Sequence, residues 1–390
     1  MTKRILIMPS PVSSGSVGSI TKTVGLAKLL KSMGVDVRFA IGGRLAQFVR
    51  AAGFIDIDCP VPIFSGEVRA IGNVIDFLSW AGLMEPEYIT HTLEHELAAI
   101  RQFKPDVIFA HSRPTAAIAA AITQTPLASI ASWPTHPAFE ANRSHERQYC
   151  DTYNAILANN RIQPVEHVAE LLFLRSNLKI SPSLPELEPE LSVVSEIHYT
   201  GYMLDLQKEP NWMPTWFEPW VKSPLIIVYL SVGALNPRIY YDILHDTFSG
   251  TEFKVLCASG FHYESKHRDH FDLNDNVQFI EYLPMQNVIE RASAVIFHGG
   301  QDTMLTTLMH GVPTITFPGQ HFERLYNATQ LERLGLSRLL PIHSFRRSQI
   351  RRTLNDIIDG EEHRKSQEFA RRFRLYEGTL HAAKLLTQLT

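Results

Sequence analysis

The chain has 390 residues, of which 45% are hydrophobic and 20% charged. That is an ordinary globular balance, which excludes disordered and fibrous classes, and the length suggests two domains rather than one core. A formal net charge of −3 argues against a nucleic-acid binder that works through a general basic field, and the three widely spaced cysteines, Cys59, Cys150 and Cys257, fit neither a disulfide framework nor a zinc site and point to a reducing cytoplasm.

Lys3 to Met8 reads as a buried strand. The two basic residues at its start mimic a secretion signal, but the apolar run stops at Pro9-Ser10, short of the roughly 7–15 apolar residues of a signal core. Ser13 to Ser19 follows as a Gly/Ser loop and Thr21 to Met33 as a helix with Val24, Ala27, Leu30 and Met33 on its apolar side. Val35 to Ile41 is a second strand and completes a β-α-β unit. The loop lacks the three-glycine dinucleotide fingerprint, and Ile41-Gly42-Gly43 puts no acid at the end of the second strand, so NAD binding is not expected. No Gly-x-x-x-x-Gly-Lys run is present, which argues against an ATPase. Strand Val107 to Ala110 and the alanine-rich helix Thr115 to Ile122 continue a doubly wound alternation. That helix is far shorter than the roughly 18 apolar residues of a membrane span. No integral membrane segment is expected, and peripheral membrane contact stays open.

Asp205 to Ser223, with Pro210, Pro214 and Pro219 and with Pro224 just beyond, reads as a linker that prolines keep free of regular structure. A second strand series starts at Leu225, passes through Phe253 to Ala258 and Val277 to Phe279, and ends in the block from Ala294 to Leu340. There an apolar strand, Ala294 to Phe297, runs into His298-Gly299-Gly300, and a helix starts near Asp302-Thr303. Adjacent glycines let the backbone approach a ligand closely, and the first N–H groups of the helix face it, which makes a phosphate cradle. Strand Pro313 to Phe317 leads into a polar loop, Gly319 to Arg324, at the same sheet edge.

The order His298-Gly299-Gly300-x-x-Thr303, then Gly311-Val312-Pro313, Pro318, an acid-plus-polar pair before Asn327-Ala328, and Gly335 resembles the nucleotide-sugar signature of family 1 glycosyltransferases. Ile226 to Ala234 resembles that family's strand followed by Ser-x-Gly-Ser. The stretch Asn154 to Pro189, with its proline-rich end, and then Thr200-Gly201-Tyr202 look like the bacterial natural-product branch, which glycosylates macrolides and other apolar aglycones. The resemblance implies an α/β GT-B fold of two Rossmann-like, doubly wound parallel-sheet domains facing across a cleft. On this chain that means an acceptor domain over 1–204, a linker over 205–223, a nucleotide-sugar domain over 224–360, and a C-terminal helix within 361–390 that crosses back to the first domain.

Site roles carry over residue by residue as what the resemblance implies. His298, Gly299, Gly300 and Thr303 hold the donor diphosphate, with Ser231 and Gly233 lining the nucleotide cleft; Ala234 replaces the family's usual hydroxyl residue. Tyr282, with Leu283, either stacks on a uracil or thymine base or anchors the core. Glu323 and Arg324 stand where the family's Asp-Gln pair binds sugar hydroxyls. Arg324 can pair bidentately with a carboxylate or phosphate, so it suits an acidic donor sugar or else a salt bridge within the loop. Thr306 replaces a ribose-binding glutamate, which leaves the nucleotide, UDP or dTDP, unassigned. No Asp-x-Asp pair is placed to hold Mg²⁺, and neither metal nor other cofactor is expected.

The base is the gap, because the family's catalytic histidine or aspartate falls on Ser19, and serine has no useful basicity without a partner. His111, at the end of a strand where relatives carry an orienting aspartate, is the first candidate base, with an imidazole pKa near working pH. His136 is the second. Each is alternatively a structural histidine. Trp80, Trp133, Phe139 and Phe173 either line an acceptor cavity or belong to the core. The expected activity is that of an inverting hexosyltransferase, moving sugar from a nucleoside-diphosphate sugar to a small apolar acceptor, with a homodimer left open. A nucleotide-sugar 2-epimerase and a catalytically degenerate nucleotide-sugar-binding relative are the alternatives.

Overall fold

The computed structural model describes residues 2–12, 18–64, 70–143, 150–203, 217–230, 237–258, 276–280 and 283–390. They fall into two compact units: Met1–Glu67, Ile71–Asp205 and Tyr376–Thr390 in the first, Leu206–Leu375 with Val68–Ala70 in the second.

The first unit alternates β1 (Arg4–Met8), α1 (Gly18–Ser32), β2 (Asp36–Ala40), α2 (Ala46–Ala51), β3 (Ile55–Ile57), α3 (Val74–Trp80), α4 (Pro86–Phe103), β4 (Val107–Ala110), α5 (Pro114–Thr123), β5 (Leu127–Ile130), α6 (Asp151–Asn159), β6 (Leu178–Ser181) and β7 (Ile197–Tyr199). Its sheet has the order β3-β2-β1-β4-β5-β6-β7. β1 is an interior strand, pairing in parallel with β2 (Ile5 beside Val37) and with β4 (Ile5 beside Val107). Helices cover both faces of such a sheet, which is why β1 and β4 read as unbroken apolar runs rather than as alternating ones. Ile5 to Met8 and Val107 to Phe109 are fully buried or nearly so.

The second unit follows the same pattern: α7 (Phe217–Trp220), β8 (Leu225–Tyr229), α8 (Pro237–Phe248), β9 (Lys254–Ala258), β10 (Val277–Ile280), α9 (Met285–Val288), β11 (Ala292–Phe297), α10 (Gln301–His310), β12 (Thr314–Thr316), α11 (Phe322–Arg333), β13 (Ser337–Leu339), α12 (Arg347–Ile358) and α13 (Glu361–Phe373). Its parallel sheet has the order β10-β9-β8-β11-β12-β13. In both units the strand order reverses beside the first strand, so the carboxyl ends of β1 and β4, and of β8 and β11, flank a topological switch point where ligands bind.

The last helix, α14 (Gly378–Gln388), belongs to the first unit. It packs on α1 and places Ala382, Ala383 and Leu386 in the core that holds Ile5, Ile7 and Phe39. The Lys3 ammonium donates to the Thr387 carbonyl at 2.8 Å and to that of Leu389. The return to the first unit therefore begins at Tyr376, not at Glu361, and α13 stays with the second unit.

Three other boundaries differ from the sequence reading. α1 begins at Gly18, so Ser19 sits in the first helical turn instead of the preceding loop. α11 begins at Phe322, so Glu323 and Arg324 are first-turn residues rather than loop residues. Within the expected linker, Phe217–Trp220 forms a short helix.

Candidate active site

In the second unit, β11 ends at Phe297 and delivers His298 to the carboxyl edge of the sheet. The imidazole Nδ1 lies 3.1 Å from the Tyr229 carbonyl at the end of neighbouring β8, and the Tyr229 ring meets it edge-on at 5.2 Å. Gly299 has φ +86°, and a Cβ there would stand 2.6 Å from the Arg324 carbonyl oxygen. Only glycine meets both conditions. Asn327 Nδ2 donates to the Gly299 carbonyl at 2.9 Å, tying the turn to α11. Gly300 caps α10, and the hydrogen-bond ladder of that helix starts with Met304 N donating to Gly300 O at 3.0 Å. Amides of the turn before it point out of the helix end, where the macrodipole is positive. Half-buried Thr303 stands in that turn.

Charge around this cradle is set by Arg324. Burial lowers its pKa, against the opposing influence of Glu323 and of Tyr229. Burial, and then the Arg324 guanidinium, hold His298 well below the usual imidazole range and push His321 down to about 3. His321, stacked on Phe322 at 5.3 Å, lies within the Gly319 to Arg324 loop of the sequence reading, which gives it no role. Its only sequence signal was its place two residues before the acid-plus-polar pair. Tyr229 carried none. Thr306 is buried, with its hydroxyl donating to the Asp302 carbonyl at 2.8 Å, on the packed side of α10. Leu283 is buried, while Ser231, Gly233 and Tyr282 lie outside the described residues.

In the first unit, the carboxyl ends of β1 and β4 bring Ser19 and His111 together: Ser19 Oγ lies 3.0 Å from His111 Nδ1. Ser19 Oγ also accepts from the Ser10 amide at 3.2 Å, which leaves its own proton available to the imidazole in the tautomer whose Nδ1 is unprotonated. His111 N donates to the Met8 carbonyl at 3.1 Å, extending the β1–β4 ladder by one residue. Burial, and next the ammonium of Lys22, lower the His111 pKa to about 3. The expectation of an imidazole poised near working pH is thus corrected: the ring is neutral well below neutrality, first because it is buried and second because Lys22 sits one helical turn from Ser19.

The turn carrying His111 is clamped from beneath. Ser112 has φ +48°, a left-handed conformation that a non-glycine residue adopts at a cost. Arg113 follows as the N-cap of α5 and is fully buried against Glu96 of α4, Nε to Oε1 at 2.6 Å. Arg113 Nη1 donates to the Ala40 carbonyl at 2.7 Å and to that of Pro9 at 3.5 Å, and Thr115 donates to Glu96 at 2.8 Å. Burial alone would favour the neutral guanidine, but Glu96 holds Arg113 charged. Neither residue of this pair was marked by the sequence reading.

His136 is not built as a base. Its ring stacks on Trp133 at 4.8 Å and lies 5.9 Å from Phe173. Its Nδ1 accepts the Ala138 amide at 3.0 Å, so in the neutral ring the proton is on Nε2 and neither nitrogen offers a lone pair. Trp133 and Phe173 are core residues. Trp80 and Phe139 are half-buried, Trp80 packing 5.4 Å from Phe64.

Comparison with known proteins agrees with this fold. Residues 261–374 match the family described as erythromycin biosynthesis protein CIII-like, C-terminal domain. The 3-alpha-mycarosylerythronolide B desosaminyl transferase of Saccharopolyspora erythraea is 20% identical over 398 residues, 90% of this chain and 90% of that one. A shorter match, 41% identical over 64 residues, covers 16% of this chain and 14% of the aclacinomycin-T 2-deoxy-L-fucose transferase of Streptomyces galilaeus. Among solved structures, the glycotransferase of kitacinnamycin superposes with a TM-score of 0.79 at 20% identity over 100% of both chains. The Streptomyces sp. SF2575 glycosyltransferase SsfS6, complexed with thymidine diphosphate, gives 0.69 at 18% identity over 99% of both. The chain is a glycosyltransferase of GT-B fold. In the motif from His298 to Asn327, in the profile match and along the full-length relative, it is similar to the glycosyltransferases of bacterial natural-product pathways.

Proposed function

We propose that the protein is an inverting glycosyltransferase that moves a sugar from a UDP- or dTDP-sugar to a hydroxyl of a small, largely apolar natural-product acceptor. The observation that carries this reading is the 3.0 Å contact of Ser19 Oγ with His111 Nδ1, because it gives the serine a neutral imidazole nitrogen to which its proton can pass. The acceptor hydroxyl attacks the anomeric carbon from the side opposite the phosphate and passes its proton to Ser19 Oγ. Ser19 in turn passes its own proton to His111 Nδ1. The bond from the anomeric carbon to the phosphate oxygen breaks, its electron pair leaves with the nucleoside diphosphate, and the anomeric configuration inverts.

The cradle at His298 to Thr303, with the α10 terminus and Arg324, supports a diphosphate leaving group. No metal is invoked in this reading. The acceptor class is drawn from the relative that acts on a mycarosylerythronolide, and dTDP from the neighbour complexed with thymidine diphosphate. Three free, buried cysteines fit a reducing compartment, and among the described residues no helix is long and apolar enough to cross a membrane.

Incubation of the purified protein with labelled UDP- and dTDP-sugars and a panel of macrolide and polyketide aglycones tests the proposal. Label is expected on an acceptor, with inverted anomeric configuration. Sugar isomerised without acceptor would establish the epimerase reading instead, and nucleotide binding without turnover the degenerate one.

A further inference from the structure

α5 runs back across the first sheet, from Arg113 and Pro114 at the carboxyl edge that carries His111 to the amino edge where β5 and β6 begin. A cavity of about 380 Å³ opens at that amino edge, a size that suits a small molecule. None of the candidate catalytic or donor residues is among those that line it. At about 3.3 Å per residue, the four residues of β5 alone hold the two edges about 13 Å apart. The floor is apolar: Ala117, Ala120 and Ala121 offer a helix face with little side-chain bulk, and Leu127, Leu157 and Leu171 close it from β5, from α6 and from a π-helical turn, Glu170–Leu174. Such turns are rare and concentrate at functional sites. This one, closed by the Arg175 amide donating to the Glu170 carbonyl at 3.2 Å, packs on α5 and brings Leu171 and Arg175 to the cavity.

Arg175 is the one charged side chain among the described residues that line the cavity. Its Nη2 donates to the Pro164 carbonyl at 2.8 Å and lies 3.4 Å from Glu170 Oε2. These contacts orient the guanidinium, while Nε and Nη1 make no hydrogen bond among the described residues. Asn177, also at the rim, accepts the Leu127 amide on Oδ1 at 2.9 Å, which sets its side-chain amide so that Nδ2 is a donor. Two oriented donors beside an apolar floor call for an acceptor head on an apolar body. We propose that this cavity is a binding site, separate from the catalytic edge, for a medium-chain aliphatic monocarboxylate. The chain lies on the alanine face, where removing it from water is favourable, and the carboxylate meets Arg175 and Asn177 through charge-assisted hydrogen bonds. Glu170 restricts the head to a single negative charge, because it faces the same guanidinium and repels a dianion such as a phosphate monoester.

Titration calorimetry of the full chain with octanoate, 1-octanol and acetate separates the head from the body. Octanoate is expected to bind with one-to-one stoichiometry and at least about tenfold more tightly than octanol, and acetate to show no measurable binding. Arg175→Met keeps an apolar stem and removes the guanidinium, so it should weaken octanoate by about tenfold and leave octanol unchanged. Ala121→Trp fills the cavity from an exposed rim position and should remove the binding of both. Circular dichroism establishes that each variant is folded, and if Ala121→Trp does not fold, Arg175→Met decides alone. Equal affinity of the wild type for octanoate and octanol would overturn the proposal. So would an octanoate affinity unchanged in either folded variant, which would put the ligand elsewhere on the protein, or no octanoate binding to the folded wild type.

Discussion

Ser19 and His111, 92 positions apart in sequence, form one hydrogen-bonded pair because β1 and β4 are neighbours in the sheet and their carboxyl ends finish level. Family relatives place a histidine or aspartate at the first position and an aspartate at the second. Here a serine and a histidine stand at those positions, 3.0 Å apart.

The proposed relay makes the two residues equally necessary. Ser19→Ala and His111→Ala should each lower kcat by about 10²–10⁴-fold while leaving the donor Kd within a factor of about two, a change worth less than half a kcal/mol. Single-turnover transfer together with nucleotide titration checks this. A Ser19→Ala enzyme that retained most of its rate would show that His111 takes the proton directly.

The pH profile follows from the depressed His111 pKa. The ring accepts a proton only in its neutral form, and burial with Lys22 keeps it neutral down to about pH 3. Activity is therefore present above that value and lost as pH falls through it. At saturating donor, kcat should be flat from pH 5 to 7, without the inflection near 6.5 of an unperturbed imidazole. Lys22→Met should move the acid limb upward, since a cation that disfavours imidazolium has been removed. An inflection between 6 and 7 that disappears in His111→Ala would contradict this account.

Gly299 and Gly250 separate steric from conformational cost. Both have positive φ, but a Cβ at 250 meets nothing within 4 Å, whereas one at 299 meets the Arg324 carbonyl. Gly250→Ala should cost about 1 kcal/mol through backbone strain alone. Gly299→Ala should cost more, about 2–4 kcal/mol, and should also abolish nucleotide binding, because the displaced segment carries Arg324. Urea unfolding and nucleotide titration of both variants measure the difference.

The Arg113–Glu96 pair beneath His111 predicts a strong double-mutant coupling. Arg113→Met or Glu96→Leu alone strands a buried charge and should destabilise the protein by about 3–5 kcal/mol. The double variant should recover most of that loss. Its kcat should still fall, since the carbonyls of Pro9 and Ala40 no longer hold the turn that presents His111. Additive single losses in urea unfolding would show that the two side chains do not depend on each other.

Much of this arrangement was legible in the sequence, for a physical reason. Strands covered on both faces must be continuously apolar, so Ile5 to Met8 and Val107 to Ala110 stand out, and the glycines at 299 and 300 mark a backbone that must pass close to something. Helix starts were read less well. Gly18 and Ser19 look like loop residues, as do His321 to Arg324, since polar residues that favour turns also favour first helical turns. What could not be read at all were effects of distance: the Ser19–His111 contact, the burial of Arg113 against Glu96, and the influence of Lys22 on His111. Each depends on which strands and helices become neighbours, and nothing in local composition records that. His136 shows the converse, a histidine in a suggestive loop whose Nδ1 lone pair is already occupied by the Ala138 amide.

The return of the last fifteen residues to the first unit sets the order in which the molecule can be completed. Ala382, Ala383 and Leu386 lie in the same core as Ile5 and Phe39, and the chain end receives hydrogen bonds from Lys3. During synthesis the second unit, whose strands and helices run together in sequence, can close as soon as residue 375 has emerged. The first unit, although most of it is made earlier, has to wait with α1 uncovered until α14 leaves the ribosome. The half of the protein that carries Ser19 and His111 is thus the last to become whole, and a chain cut short before Tyr376 would retain the diphosphate cradle without a finished first unit.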